Sequence, residues 1–382
     1  MLSNKSSKIK VYFIVQYIQG LDKIHTVIQS MQKDPMINVK VLAFPSDKND
    51  FPENKELSFW REKIGNNVIN AVVENGWYDL KKQKPDYVFV QRPYDIYLPK
   101  EYSVKELSSF TKVCYIPYGF TLHTRNDLVL YNSFLEELSV FFAENNDQYK
   151  HVKKIFGEMK DKKSRKSVFL GYPSLDNMED RLKEETSAFS ESNKYKIIWA
   201  PRWTTDDSIC GTSFFDYKDK VIKYAEMNKD IEMVFRPHPL IFKNFIDKKQ
   251  MTKNEVKLYL KALDDNKIIY DKDSEYMKTL SDADVLVIDF SSIIVEYLYF
   301  ENPIILCKRN EKYSNIYMKK ISGACYLVDN WEQLEKVLNN LKNGIDPLKL
   351  KRKRIRKKIF KIYDGNVANN IVEYIKKDYY DN

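Results

Sequence analysis

Cysteine, histidine and long apolar runs are what this chain has least of. Its 382 residues include four cysteines, Cys114, Cys210, Cys307 and Cys325, scattered without a C-x-x-C pair and with no His or Cys beside them at metal-ligand spacing. That excludes a disulfide framework and gives no basis for a metal site or a bound cofactor. The reading is reduced, mostly buried thiols in a cytoplasmic protein. Histidines number four, His25, His123, His151 and His238. The N-terminus offers lysine-rich polar residues and then only Val11 to Val15 before Gln16, too short for a signal-peptide core. No window approaches the ~20 apolar residues of a membrane span, so any membrane association is expected to be peripheral, on the inner face. No short-period repeat is evident, and one basic run is the only low-complexity tract.

What is there is a foldable globular composition. Apolar residues make up 43% and charged ones 31%, with 27 Tyr and 21 Phe, and the length fits two sizeable cores. Lysine and arginine number 63 against 54 acidic residues, a formal charge of +9, but much of the excess is local. Lys351 to Lys358 holds seven basic residues and Ile355. One basic element is a better reading than a diffuse nucleic-acid surface, and no nucleic-acid partner is expected.

Short β-branched runs alternate with helical stretches. Strands are expected at Lys10 to Val15, Val39 to Phe44, Tyr87 to Val90, Lys112 to Ile116, Ser139 to Ala143 and Ser167 to Leu170, with a helical region around Leu57 to Val73. A second alternation has strands at Lys196 to Ala200, Glu232 to Phe235, Lys267 to Tyr270, Val285 to Ile288, Ile304 to Leu306 and Cys325 to Val328. Such alternation implies parallel sheets with both faces covered. The fold class is α/β, two Rossmann-like doubly wound domains facing across a cleft. The expected boundaries are 1–176, 177–350 and a basic helical segment 351–382 that packs back on the first domain. The basic helix reads either as core-packed with a solvated face or as a contact for an anionic membrane surface.

Three turns of the second half follow strands: Pro201 to Thr205, Arg236 to Pro239 and Asp289 to Ser292. In a parallel sheet they open on one edge, where α/β proteins bind ligands. Arg202 and Arg236 supply planar donors suited to phosphate, Thr204 a hydroxyl, and His238 a ring donor on a loop stiffened by Pro237 and Pro239. Ser291 or Ser292 is the natural cap of the following helix, whose first N–H groups can face an anion. A plain βαβ unit with an ordinary serine cap fits that stretch equally. Asp289 either orients a donor or caps a turn, and Glu296 either accepts from ribose hydroxyls or faces solvent. Together the turns suit a diphosphate.

The motifs APRW at Ala200 to Trp203, FRPHP at Phe235 to Pro239, ADVLVIDFSSIIVEY at Ala283 to Tyr297, NPII at Asn302 to Ile305 and DGN near Asp364 resemble the CDP-glycerol glycerophosphotransferase family. That family includes poly(glycerol phosphate) polymerases of teichoic acid and related capsule enzymes. The resemblance covers roughly residues 171 to 375. It implies a GT-B architecture whose C-terminal lobe holds the nucleotide. The implied reaction is attack by an acceptor hydroxyl on the phosphorus next to the polyol, releasing CMP. By position Arg236 and His238 match the family's Arg-Pro-His-Pro. Asp289, Phe290, Ser291 and Ser292 match its Asp-Tyr-Ser-Ser, with Phe290 in place of tyrosine. The N-terminal lobe departs from the family. Its His-Gly-Thr, source of the proposed general base, is here Pro117-Tyr118-Gly119-Phe120, and Ser174 stands where an arginine is common. Tyrosine, with a pKa of about 10, is a poor base near neutrality, and His123, His25 or Asp22 are the substitutes.

The expected function is therefore transfer of a polyol phosphate, glycerol phosphate first, from a CDP-activated donor to a glycan or lipid-linked acceptor. A GT-B glycosyltransferase and a non-catalytic GT-B binding protein are the alternatives.

Overall fold

The computed structural model describes residues 7–46, 54–120, 132–161, 163–190, 192–307, 316–361, 363 and 365–381. The chain divides into two compact units. One holds the described residues up to Met178 together with those after Lys361, and the other runs from Glu179 to Lys361. The sequence reading set residues 351–382 apart; the contacts give the helix Lys349–Ile359 to the second unit and Val367–Tyr380 to the first.

The first unit is a seven-stranded parallel sheet. Its strands are β1 (Ile9–Val15), β2 (Ile37–Ala43), β3 (Val68–Asn70), β6 (Tyr87–Val90), β7 (Lys112–Tyr115), β8 (Val140–Ala143) and β9 (Lys166–Phe169), in the order β3-β2-β1-β6-β7-β8-β9. A separate small hairpin pairs β4 (Val72–Val73) with β5 (Gly76–Trp77). Side chains of β1 alternate between two cores, as a strand period of two requires. Val11, Phe13 and Val15 lie on one face with the helices His25–Lys33 and Val367–Tyr380, and Tyr12 and Ile14 lie on the other. The expected helical region 57–73 is shorter than read. The helix Leu57–Ile64 ends at Gly65, whose φ of 87° no β-branched residue adopts easily, and β3 follows.

Val367–Tyr380 closes one face of this sheet with Val367, Ala368, Ile371, Val372 and Ile375. Its first N–H groups are met by a distant carboxylate: Val367 and Ala368 donate to Asp176 at 3.1 and 2.6 Å. Near its other end Asp378 accepts from Tyr87, Lys112 and Lys166 at 2.8, 2.6 and 2.8 Å.

The second unit has a six-stranded parallel sheet: β10 (Tyr195–Ala200), β11 (Ile231–Phe235), β12 (Ile268–Tyr270), β13 (Val285–Ile288), β14 (Ile304–Cys307) and β15 (Cys325–Val328), in the order β12-β11-β10-β13-β14-β15. One face is strongly aromatic. Trp199 and Phe235 meet Phe214 of the helix Phe214–Met227, and Phe245 and Tyr259 pack against Phe214 in turn. All four cysteines are buried, and none of them is in a disulfide. Among the described residues no helix is long and apolar enough to cross a membrane.

Candidate functional site

The order of the second sheet reverses between β10 and β13, with β11 on the far side of β10. Trp199 pairs with both Phe235 and Val287, and Ala200 pairs with Ile288, so the three strands end at one level. The turns that follow them, at Pro201, Arg236 and Asp289, therefore leave the same edge beside the topological switch point.

Hydrogen bonds sew these turns together. The His238 N–H donates to the Pro201 carbonyl at 3.1 Å, and the Arg236 N–H to that of Trp199 at 2.9 Å. The Arg202 N–H donates to Asp289 Oδ2 at 2.8 Å, while its Nη1 donates to the Phe290 carbonyl. The same Oδ2 accepts from the Ser213 N–H and the Thr212 hydroxyl, each at 3.0 Å. Asp289 is 1% exposed, and burial pushes its pKa up against the pull of these bonds. Its Oδ2 works as a tether between loops rather than as a group presented to solvent. Thr212 and Ser213, which complete the tether, were not singled out from sequence, since nothing in their spacing links them to a residue 76 or 77 positions on.

His238 is held with a defined tautomer. Pro239 has no N–H, and the next donor, the Leu240 N–H, reaches Nδ1 at 3.1 Å, so the ring proton sits on Nε2. Burial, with the Arg202 charge adding to it, pulls the His238 pKa down to about 3. The ring is thus a neutral Nε2–H donor at physiological pH. The half-buried Arg202 guanidinium lies 5.7 Å from the Phe290 ring centroid and 6.0 Å from that of Trp203.

Other expected residues come with partners that the sequence did not reveal. Arg236 forms an ion pair with the buried Asp271 at 2.6 Å, donates to the Asp273 carbonyl at 2.7 Å and stacks 4.3 Å from the Tyr276 centroid. Glu296 does not face solvent: it is 0% exposed, and Oε2 accepts from the Tyr276 hydroxyl at 2.7 Å. Thr204 is also buried. Its hydroxyl accepts from the Asp206 N–H and its carbonyl from the Thr212 N–H. Ser292 takes the N-cap position of the helix Ile293–Leu298, but its side chain makes no capping bond, and Ser291 Oγ accepts only a long 3.4 Å contact from Ile293. Ser292 has helical dihedrals, with φ −61° and ψ −26°, and a cap needs extended ones; both hydroxyls stay half-buried at the edge.

In the first unit the Tyr118 hydroxyl pairs with that of Tyr94 at 2.9 Å, and burial raises its pKa. Asp22 is ion-paired with Lys23 and accepts from Ser174 at 2.8 Å. His25 Nε2 meets the Lys63 carbonyl at 3.2 Å. His123 lies outside the described residues. Among the described residues no group of three or more His, Cys, Asp or Glu is arranged to hold a metal ion.

The family model described as CDP-Glycerol:Poly(glycerophosphate) glycerophosphotransferase matches residues 141–377, more than half of the chain. The chain belongs to that family. It is thereby an enzyme of the CDP-glycerol glycerophosphotransferase kind, and the matched stretch contains all three turns of the second sheet but not Tyr118. Among solved structures it is similar to a putative UDP-N-acetylglucosamine 2-epimerase from Listeria monocytogenes, with 14% identity, 98% of each chain covered and a TM-score of 0.62. A UDP-GlcNAc 2-epimerase from Neisseria meningitidis bound to UDP-GlcNAc shares 15% identity over 97% of this chain and 100% of that one, at a TM-score of 0.61. The wall teichoic acid polymerase TagF, in a form soaked with CDPG, shares 16% identity over 99% of this chain and 90% of that one, again at 0.61. At these identities the likeness carries the fold, which is GT-B. No curated protein matches the chain.

Proposed function

We propose that this glycerophosphotransferase moves a polyol phosphate, glycerol phosphate first, from a CDP-activated donor to a hydroxyl of a teichoic-acid-like or other surface-glycan acceptor and releases CMP. The observation that carries the reading is the set of sewn turns at the switch point of the second sheet. They bring a neutral Nε2–H donor on His238 and the Arg202 guanidinium to one edge, inside the stretch that defines the family. In the reaction the acceptor oxygen forms a bond to the phosphorus bearing the polyol, the bond from that phosphorus to the bridging oxygen breaks, and CMP leaves with the electron pair. The hydroxyl proton passes to solvent or to the departing phosphate. Charge grows on the bridging and non-bridging oxygens, so fixed donors matter more than a protein nucleophile. His238 and Arg202 fill that role, with Ser291 and Ser292 as neutral donors at the same edge. Tyr118, whose pKa burial raises, serves as a hydrogen-bonding group and not as the base. The test is a product assay over CDP-glycerol, other CDP-polyols and UDP-sugars with a poly(glycerol phosphate) acceptor. CMP from a CDP-polyol is expected; CDP or UDP as the released nucleotide would overturn the reading.

Peripheral membrane contact belongs to the same proposal. Within the basic run Arg352 is buried against Asp346 and the Glu301 carbonyl, and Arg356 reaches the Tyr299 carbonyl. Lys349, Lys351, Lys353, Arg354, Lys357 and Lys358 are exposed, beside Leu350 at 69% exposure. Each such charge near an anionic bilayer contributes on the order of 1 kcal/mol. Changing these six to glutamine should abolish sedimentation with phosphatidylglycerol vesicles at low salt while the two arginines keep the helix docked. Unchanged sedimentation would remove the membrane from the proposal.

A further inference from the structure

The first sheet has its own switch point, between β1 and β6. Gln16 follows β1, and Gln91 and Arg92 follow β6, so they flank the position where open α/β sheets hold ligands. Gln91 serves the backbone. Its Oε1 accepts from the N–H groups of Gln16 and Tyr17 at 2.9 and 2.8 Å, and its Nε2 donates to the Tyr17 carbonyl at 2.8 Å. Gln16 Nε2 donates to the Tyr97 carbonyl at 2.7 Å, which leaves its Oε1 to accept from Arg92 Nη2 at 3.0 Å.

That neutral oxygen is the only hydrogen-bonding partner of Arg92 among the described residues, and its buried Nε has none. The other neighbours are aromatic. The guanidinium carbon lies 4.3 Å from the Tyr97 centroid and 5.4 Å from that of Tyr17. The hydroxyl pair Tyr94 and Tyr118 joins the same cluster, with Tyr94 packed edge-on against Tyr97 and Tyr118. Elsewhere Arg165, Arg181, Arg236 and Arg352 each face a carboxylate. Among the described residues this half-buried cation, with rings and one amide oxygen around it, has no anion to compensate its lost hydration. Burial also pulls its pKa below the usual arginine value, a pull that a bound anion reverses.

We infer that Arg92 and the tyrosines around it form a second anion subsite, one that takes the phosphate of a phosphate-bearing acceptor. Its place in catalysis rests on the transferase reading above; its existence as an anion site does not. A guanidinium fork matches two phosphate oxygens, Tyr17 and Tyr97 hold its plane, and the Tyr94–Tyr118 hydroxyl pair, one proton of which bridges the two, adds one neutral donor. Such a subsite selects a polyol phosphate chain over a neutral glycan.

The test is calorimetric titration of the full-length protein, at constant ionic strength, with sn-glycerol 3-phosphate, inorganic phosphate and glycerol. Wild type, Arg92→Gln, Arg92→Lys and Tyr118→Phe are compared. Glycerol phosphate should bind and glycerol should not. Arg92→Gln should weaken binding ten- to a hundredfold, the scale of charge-assisted bonds, and Arg92→Lys should recover only part because it lacks the fork. Equal binding by wild type and both Arg92 variants overturns the inference, and the lysine variant carries the test if the glutamine variant does not fold. Inorganic phosphate binding tenfold tighter than glycerol phosphate overturns the acceptor assignment. If binding depends on Arg92 but no CDP-polyol ever yields CMP, the anion site stands and the transferase reading falls.

Discussion

Asp289 offers the sharpest test of how the loops at the edge of the second sheet are held. Its Oδ2 accepts from two backbone N–H groups, those of Arg202 and Ser213, and from the Thr212 hydroxyl. Asp289→Ala removes the one oxygen that all three donors share. A buried donor left without a partner costs about 1–3 kcal/mol, and because water reaches the half-buried Arg202 the expected total is near the low end, about 3–4 kcal/mol. At about 2–4 °C per kcal/mol for a unit of this size, Tm should fall by roughly 6–16 °C. Asp289→Asn keeps one carbonyl oxygen and loses the charge, so about 1–2 kcal/mol is expected. Both variants should also bind CDP-glycerol more weakly, in the same rank order, because the Arg202 turn loosens. Thermal unfolding by circular dichroism and calorimetric titration with CDP-glycerol give the two readouts. An alanine variant with unchanged Tm and abolished binding would refute the tether, since the carboxylate would then be touching the ligand itself.

His238→Ala should lower CMP release on the order of a hundredfold, and His238→Gln, which keeps an N–H donor, by less. With its pKa down at about 3, the ring takes no proton until the pH is far below 6.5, so the rate should show no histidine limb between pH 5 and 8. A limb near 6.5 that vanishes in the glutamine variant would contradict the neutral-donor role. Gly171→Ala should destabilise the first unit by about 1–3 kcal/mol in thermal unfolding, because φ is +115° and the new Cβ would come within 2.7 Å of Val367. Gly157→Ala, in a helix with open space around it, should leave stability unchanged or raise it by up to about 1 kcal/mol. Burial would raise the Asp378 pKa, but hydrogen bonds from Lys112, Lys166 and Tyr87 outweigh it and hold the group at about 2. Its folded value is depressed, so the stability it contributes is present above about pH 4 and lost as pH falls from there toward 2. Acid titration of unfolding should show that loss, and Asp378→Asn should flatten it.

Much of the fold was legible because strands buried on both faces read as short β-branched runs. Tyr87 to Val90 and Val285 to Ile288, buried at every position, have the bounds expected of them, and so does the edge strand Cys325 to Val328 although Leu327 is exposed. The three turns were legible for the same reason, since each follows such a run. Partners were not. Asp271 stands 35 residues from Arg236, and Tyr276 stands 20 from Glu296, so their pairing depends on the packing of separate elements and leaves no periodic trace. Residues 68 to 73 read as helical because Val68, Ile69, Val72 and Val73 also fit a helix period, and only the break after Ile64 separates the two. Arg92 was missed although its address is the one used in the second half: it lies two residues past a strand at the carboxyl edge.

The helix Val367–Tyr380 supplies a wall of the first core from the far end of the chain. During synthesis, residues 9 to 169 emerge with that wall still missing, while residues 179 to 361 are complete before it is translated. The unit begun first is finished last, and a ribosome stalled before residue 367 would hold a complete second unit and a half-built first one with bare apolar sheet, a natural client for chaperones.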